Sequence, residues 1–225
     1  MTNTIVYKLI GNDLKINRTP ILLWSLTAVA GIVVAYLIPG LVAANIGFCL
    51  LASAIIGVGI HMLAHTVLYD NLKGTHIFIM SLPLNFKQYT VAKLSVNILV
   101  FYSMWVLLSA ACIYVTFTRG IFPAGSLPMM LMVLLSILPV YSLMLSISIL
   151  TQSIGYTVVT VVSLSFATSA YLWKIVYLDS VGTYVWGKQA VWNSTVFSIM
   201  IIQLLTAIII PVLTVIVQFR KKDVI

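Results

Sequence analysis

The sequence predicts an all-α polytopic membrane protein with six transmembrane helices, cytoplasmic termini and an N-terminal interfacial amphipathic helix. Three observations carry this reading. First, 62% of the 225 residues are hydrophobic and 7% are charged, with a mean hydropathy of +1.15. A soluble domain of this size needs far more charge to cover its surface, so the surplus apolar surface has to face lipid. Second, the apolar residues gather into six runs, each close to the ~20 residues that a helical span takes. Third, the basic residues divide unequally between the two sides that these runs define.

Residues 5–18 differ from all that follows. At about 100° per residue, Ile5, Val6, Leu9, Ile10 and Leu14 share one side of a helix. Lys8, Asn12 and Lys15 share the other, with Asp13 intruding. This is an amphipathic helix suited to the headgroup layer. The six runs are 20–38, 43–68, 94–116, 127–150, 156–178 and 194–219. Pro39-Gly40 separates the first two, Gly120 to Pro128 the third and fourth, and Gln152 to Gly155 the fourth and fifth. Pro139 and Pro211 fall inside runs, where a membrane helix tolerates a kink. The first run is longer than a signal-peptide core and lacks a small-residue cleavage site, so it reads as a retained span. Six spans use about 120 residues, which leaves loops only. Residues 1–225 therefore form a single transmembrane domain, with a cytoplasmic loop at 69–93 and an extracellular loop at 175–192.

With the N-terminus inside, the cytoplasmic side receives Lys8, Lys15, Arg18, Lys73, Lys87, Lys93, Arg220, Lys221 and Lys222. The outer side receives Arg119, Lys174 and Lys188. This is a positive-inside bias, and it places both termini in the cytoplasm of a plasma-membrane protein. The outer end of the fifth run and the loop after it carry Tyr171, Trp173, Tyr177, Tyr184, Trp186 and Trp192, an interfacial aromatic belt, with room for short helices dipping back into the outer leaflet. The net charge of +8 does not signal nucleic acid, because the basic residues lie singly or in short groups beside apolar runs rather than on a hydrophilic platform.

The function classes narrow by chemistry. Apart from His61 and His65, the spans hold almost no ionisable side chain, and Asp13, Asp70, Asp179 and Asp223 lie at or beyond helix ends. Ion-coupled transport needs carboxylates, histidines or unwound helices near mid-bilayer, and intramembrane hydrolysis needs paired acids or a His/acid cluster at depth. There is no G-x-x-x-x-G-K-[ST] phosphate loop, so no ATP hydrolysis by that route is expected on this chain. His61 and His65 have the spacing of a metal pair but lack a third ligand nearby except Asp70; they read as satisfied polar residues at the end of the second span, not as a metal site. Ser53, Gly57 and His61 continue that face with small residues, which suggests close helix packing. Cys49 and Cys112 lie in apolar runs and read as buried unpaired thiols. Ser142 and Ser146 in the fourth run, with Thr157, Thr160, Thr168 and Tyr171 in the fifth, either line a weakly polar pathway or bond to carbonyls of their own helices.

The 69–93 loop is the longest cytoplasmic connection and is neither polar nor flexible in composition. Ile77, Phe78, Ile79, Met80 and Leu82 form an apolar block too short to cross a bilayer, and Pro83 forbids helix continuation. A short helix, a turn at Ser81 to Pro83 and a second basic helix leading into the third span are expected. An exposed apolar block of this kind marks a docking surface. Its sequence carries Asp70, Lys73-Gly74-Thr75, Ser81-Leu82-Pro83 and Val91-Ala92-Lys93. On those residues and the six-span layout, the chain resembles the ABC-2 type transporter permease family, departing from the family's usual Glu with Asp70.

The resemblance implies a permease subunit of an ATP-binding cassette exporter. Residues 70–80 would then be a coupling helix seated in a groove of a cytoplasmic ATPase subunit, with Asp70, Asn71, Lys73, Gly74, Thr75 and Phe78 as docking residues. It further implies no cofactor on this chain, ATP and Mg on the partner, and pairing with a second permease copy or a homologous permease. The uncharged spans suit hydrophobic or amphipathic cargo, peptides first among them. A reading from another class is a non-transporting membrane anchor or immunity-type protein that binds lipid or peptide.

Overall fold

The structure is a computed structural model and describes residues 2–69 and 86–220. Helix α1 spans Thr2–Ile16, and α2 (Arg18–Leu37) follows after the single junction residue Asn17. Helix α3 covers Leu41–Leu63 and widens into a π-helical turn at Ala64–Leu68. Then come α4 (Phe86–Thr118), α5 (Leu127–Thr151, entered through a tight turn at Ala124–Ser126), α6 (Ile154–Val176), the short α7 (Asp179–Gly182) and α8 (Ser194–Arg220). Six of these, α2, α3 with its π turn, α4, α5, α6 and α8, are long and apolar enough to cross a membrane. The chain is an all-α polytopic membrane protein.

Five spans begin and end within a few residues of the apolar runs, and the third does not. Helix α4 starts at Phe86 rather than near 94, because nothing between Phe86 and Leu94 breaks a helix. The separate basic helix expected before the third span is its first two turns. At 33 residues, α4 is about 50 Å long, well beyond the ~30 Å of bilayer hydrocarbon. Its N-terminal turns are buried at Tyr89, Thr90 and Ala92, and α1 packs against this helix. Between α2 and α3 the chain reverses at Ile38-Pro39-Gly40. Ile38 is extended as a residue before proline must be, and Gly40 takes φ +110°, which a side chain disfavours.

Helices α2 and α3 form the tightest pair. Ala28, Gly31 and Ala35 of α2 face Ala44, Gly47, Leu51 and Ala54 of α3, all buried. A Cβ on Gly31 would stand 2.8 Å from the Gly47 carbonyl oxygen, so the two backbones touch directly. The small-residue face expected at Ser53, Gly57 and His61 does not serve this role: Ser53 is exposed, and Gly57 is covered by the Trp24 ring rather than by a neighbouring backbone. The main core runs between α3, α4 and α5 through Ile55, Val58, Met62, Val96, Phe101 and Leu145. Helix α6 packs chiefly on α5 and presents most of its surface outward, including Val159, Val162 and Phe166.

Helices α5 and α8 are stitched by polar side chains. Pro211 has no amide proton, so the Ala207 carbonyl loses its helical donor. Ser142 Oγ donates to it at 3.0 Å and Tyr102 OH at 3.2 Å, restoring the balance from neighbouring helices. Gln203 Nε2 donates to Met132 O at 3.1 Å, and Gln218 Nε2 donates to Ile149 O, one of the last carbonyls of α5, at 3.2 Å. Trp105 Nε1 donates to Leu134 O at 2.9 Å, in the stretch of α5 before Pro139. Replacing Ser142 by Ala is expected to destabilise the bundle by about 1 kcal/mol, since Tyr102 still serves the carbonyl. Ser142→Ala with Tyr102→Phe should exceed the sum of the single changes, because only the pair leaves the carbonyl orphaned. Equilibrium unfolding of the purified protein in mixed micelles measures both.

Candidate functional site

The coupling residues expected from the sequence, Asp70, Asn71, Lys73, Gly74, Thr75 and Phe78, lie outside the described residues. What the structure describes is the bundle end on either side of them, where α3 leaves and α4 returns. A connected set of buried polar groups occupies this end.

Its centre is Lys93, eight residues into α4 and 2% exposed. The ammonium group lies 3.0 Å from Asp13 Oδ1 and 2.8 Å from Asp13 Oδ2, so α1 and α4 are joined by a buried ion pair. Lys93 also passes 5.4 Å from the centre of the Tyr89 ring. Asp13, the intruding charge of α1, lies on the same inward stripe as Val6, Leu9, Ile10 and Leu14, with Lys8, Asn12 and Lys15 outside. One sequence expectation is corrected here: Lys93 is not an exposed anchoring charge beside an apolar run but a buried group near the start of the third span. The physical reason is mutual: each charge is tolerable at depth because the other neutralises it and shares hydrogen bonds with it. Asn17 closes the C-terminal turn of α1, its Nδ2 donating to Asp13 O at 2.8 Å.

The network continues inward along α4. Asn97, fully buried, donates through Nδ2 to Lys93 O at 2.8 Å and to Thr66 Oγ1 at 2.7 Å. Thr66 sits in the π turn and donates in turn to Met62 O at 2.7 Å. On the other side of the amide, Asn97 Oδ1 accepts from Tyr141 OH at 3.3 Å. The Tyr141 ring stacks on Phe101, centroids 3.6 Å apart at 14°. Gly59 makes room for the stack, because a Cβ there would lie 2.8 Å from Phe101 Cε2.

The Phe101–Tyr141 stack forms the floor of an apolar groove of about 340 Å³ between α3, α5 and α6, walled by Ile56, Ile60, Ile137, Met144, Leu164 and Leu172. On its α6 side, Ser165, Thr168 and Ser169 donate to Val161 O at 2.8 Å, Leu164 O at 2.8 Å and Ser165 O at 3.0 Å. Their protons are spent within the helix, so the groove offers hydrocarbon walls and a few acceptor lone pairs. It suits a hydrophobic or amphipathic occupant better than a sugar or an ion.

Of the six residues singled out for a pathway, Thr168 borders this groove. Ser142 serves the Ala207 carbonyl that Pro211 leaves without a donor, and Ser146 is buried in α5. Thr157 bonds to Ser153 O at 2.8 Å and lies 3.0 Å from Ser148 Oγ, and Thr160 bonds to Tyr156 O at 2.7 Å. Tyr171 meets Gln203 and Met132 O between α6, α8 and α5. The His61 and His65 rings stack at 4.5 Å, and His65 meets Tyr69 edge-on at 4.9 Å. Two parallel stacked imidazoles do not converge their nitrogens on one point, and His61 Nε2 is buried with no hydrogen-bond partner among the described residues, so the expectation of a satisfied pair does not hold for that atom. Both cysteines are free, with Cys49 exposed rather than buried. At the opposite end of the bundle, Trp173, Tyr177, Tyr184, Trp186 and Trp192 stand exposed around the short helix α7.

Sequence reasoning missed Asp13, Lys93, Asn97 and Thr66 as one unit. A signal was present: Tyr89, Lys93, Val96, Asn97 and Val100 fall on one stripe of α4, so a lysine and an asparagine interrupt an apolar period. The class that fold and site define is a multi-pass helical membrane protein with a buried charge pair at one end and an apolar groove beside it. No family model, no curated protein and no solved structure matches the chain.

Proposed function

We propose that this protein is the membrane subunit of an ATP-driven exporter, working with a second permease copy and with separate cytoplasmic ATPase subunits, and moving a hydrophobic or amphipathic substrate. Both termini are cytoplasmic on this reading, and the membrane is the plasma membrane. The observation that carries it is the apolar block Ile77 to Leu82, stopped by Pro83, between two spans that it cannot itself extend. A greasy segment outside the bilayer calls for a protein surface to cover it. Two features of the bundle support the reading. The helix that leaves this segment, α4, is pinned to α1 by Asp13–Lys93, which makes the bundle end beside the loop a firm platform. The groove along the middle of the bundle has the chemistry of an apolar cargo site.

The test is purification of the tagged protein from its native membrane at native expression level, followed by transport in reconstituted vesicles. A nucleotide-hydrolysing subunit is expected in stoichiometric amount, together with transport that requires ATP. Phe78→Asp should remove the ATPase and abolish ATP-dependent transport while the permease keeps its elution volume. A chain that purifies without any ATPase, or a Phe78→Asp variant that retains it, overturns the proposal.

A further inference from the structure

The polar set joins three places: the N-terminal helix, the π turn of α3 and the floor of the groove. We infer that Asp13, Lys93, Asn97, Thr66 and Tyr141 are positioning residues that couple the seating of α1 to the shape of the apolar groove. This does not depend on the ATPase reading, and it applies to whatever occupies the groove.

The geometry is continuous. Asp13 holds Lys93 from α1 at 2.8 Å, and the Lys93 carbonyl takes the Asn97 amide at 2.8 Å. Asn97 then reaches α3 through Thr66 at 2.7 Å and α5 through Tyr141 at 3.3 Å. A buried amide that uses both its ends has one good orientation, so when α1 shifts α4 through Lys93, the movement of α4 against α3 and α5 cannot be absorbed by Asn97 alone. Either the Thr66 bond or the Tyr141 bond must change. Tyr141 carries Phe101 with it, since the two rings are stacked under Gly59 with no slack for a methyl group.

Coupling of this kind needs an element with two arrangements, not a rigid rod. The π turn at Ala64–Leu68 supplies one. It holds an extra residue in the turn, with Tyr69 N–H bonded to Ala64 O, and such turns sit at places of functional movement in helices. A slip to α-helical register rotates the residues of the turn itself, Thr66 among them, by up to about 100°. Thr66 would then leave Asn97, and the amide would be free to follow Lys93. The seated state has α1 latched, Thr66 bonded and the Phe101–Tyr141 floor fixed. In the released state all three loosen together.

The experiment places 4-fluorophenylalanine at Phe101 in the full chain in lipid nanodiscs, and reads its fluorine resonance together with amide exchange in α1. In Asp13→Asn, exchange in α1 should rise by about tenfold, and the resonance should move or split. In the Tyr141→Phe background, which removes a single hydroxyl and keeps the stack, the same Asp13→Asn change should move the resonance by about a third as much or less. If Asp13→Asn does not survive purification, Asp13→Glu keeps the charge, lengthens the arm and is read in the same way. The inference is overturned if α1 loosens while the resonance stays in place, if α1 does not loosen, or if the displacement is as large without the Tyr141 hydroxyl as with it.

Discussion

Lys93→Met is expected to destabilise the protein by about 3–5 kcal/mol, because it leaves the Asp13 carboxylate buried without its counter-charge. The lysine side chain is 2% exposed and both Asp13 oxygens face its ammonium group, so water cannot replace it without opening the α1–α4 contact. The loss should therefore show first as release of α1, seen as rapid proteolysis before Asn17, and then as a lower unfolding midpoint in mixed micelles. Asp13→Leu combined with Lys93→Met should recover most of the loss, since two packed apolar groups avoid the desolvation that the ion pair has to offset. Exchange of the two residues, Asp13→Lys with Lys93→Asp, should recover less, because the shorter arm would then stand on α4. A Lys93→Met variant as stable as the parent would mean that the carboxylate is satisfied by water or by another neighbour in the folded protein.

Gly47→Leu is the second large effect, expected at about 3 kcal/mol or more. A Cβ at this position would stand 2.6 Å from the Gly31 carbonyl oxygen and 2.7 Å from the Ala35 amide nitrogen. Those are backbone atoms and cannot rotate away, so α2 has to leave α3. Gly57→Ala makes the useful contrast. The atoms nearest its new methyl all belong to the Trp24 ring, a side chain that can turn, and the loss should be about 1 kcal/mol. A cysteine pair placed across α2 and α3 in a Cys49→Ala, Cys112→Ala background should crosslink readily in the parent and in Gly57→Ala, and poorly in Gly47→Leu. Equal crosslinking in all three would place the α2–α3 contact elsewhere.

The two effects differ in how far they could be foreseen. Gly31 and Gly47 lie inside apolar runs, where small residues signal close approach, but nothing in the runs says which helix approaches which. The face first expected to do this, through Ser53 and Gly57, turned out to be covered by Trp24 or exposed. Ser142 is similar. Its hydroxyl looked free to line a pathway or to bond within its own helix, and it bonds to another helix because Pro211, 69 residues later in the chain, leaves a carbonyl without a donor.

The sequence by itself determined what depends on composition and on order along the chain. Six spans, their approximate ends, the amphipathic character of α1 and the aromatic girdle follow from apolar length, from proline and glycine breaks and from the period of one helix, all of which are local. The tertiary structure decided what depends on distance between helices. Whether Asp13 is a stray charge or half of a buried pair turns on Lys93, and whether Asn97 is a defect or a junction turns on Thr66 and Tyr141. A buried charge or amide is costly without its partner, and partners drawn from different helices carry no common periodicity in the sequence.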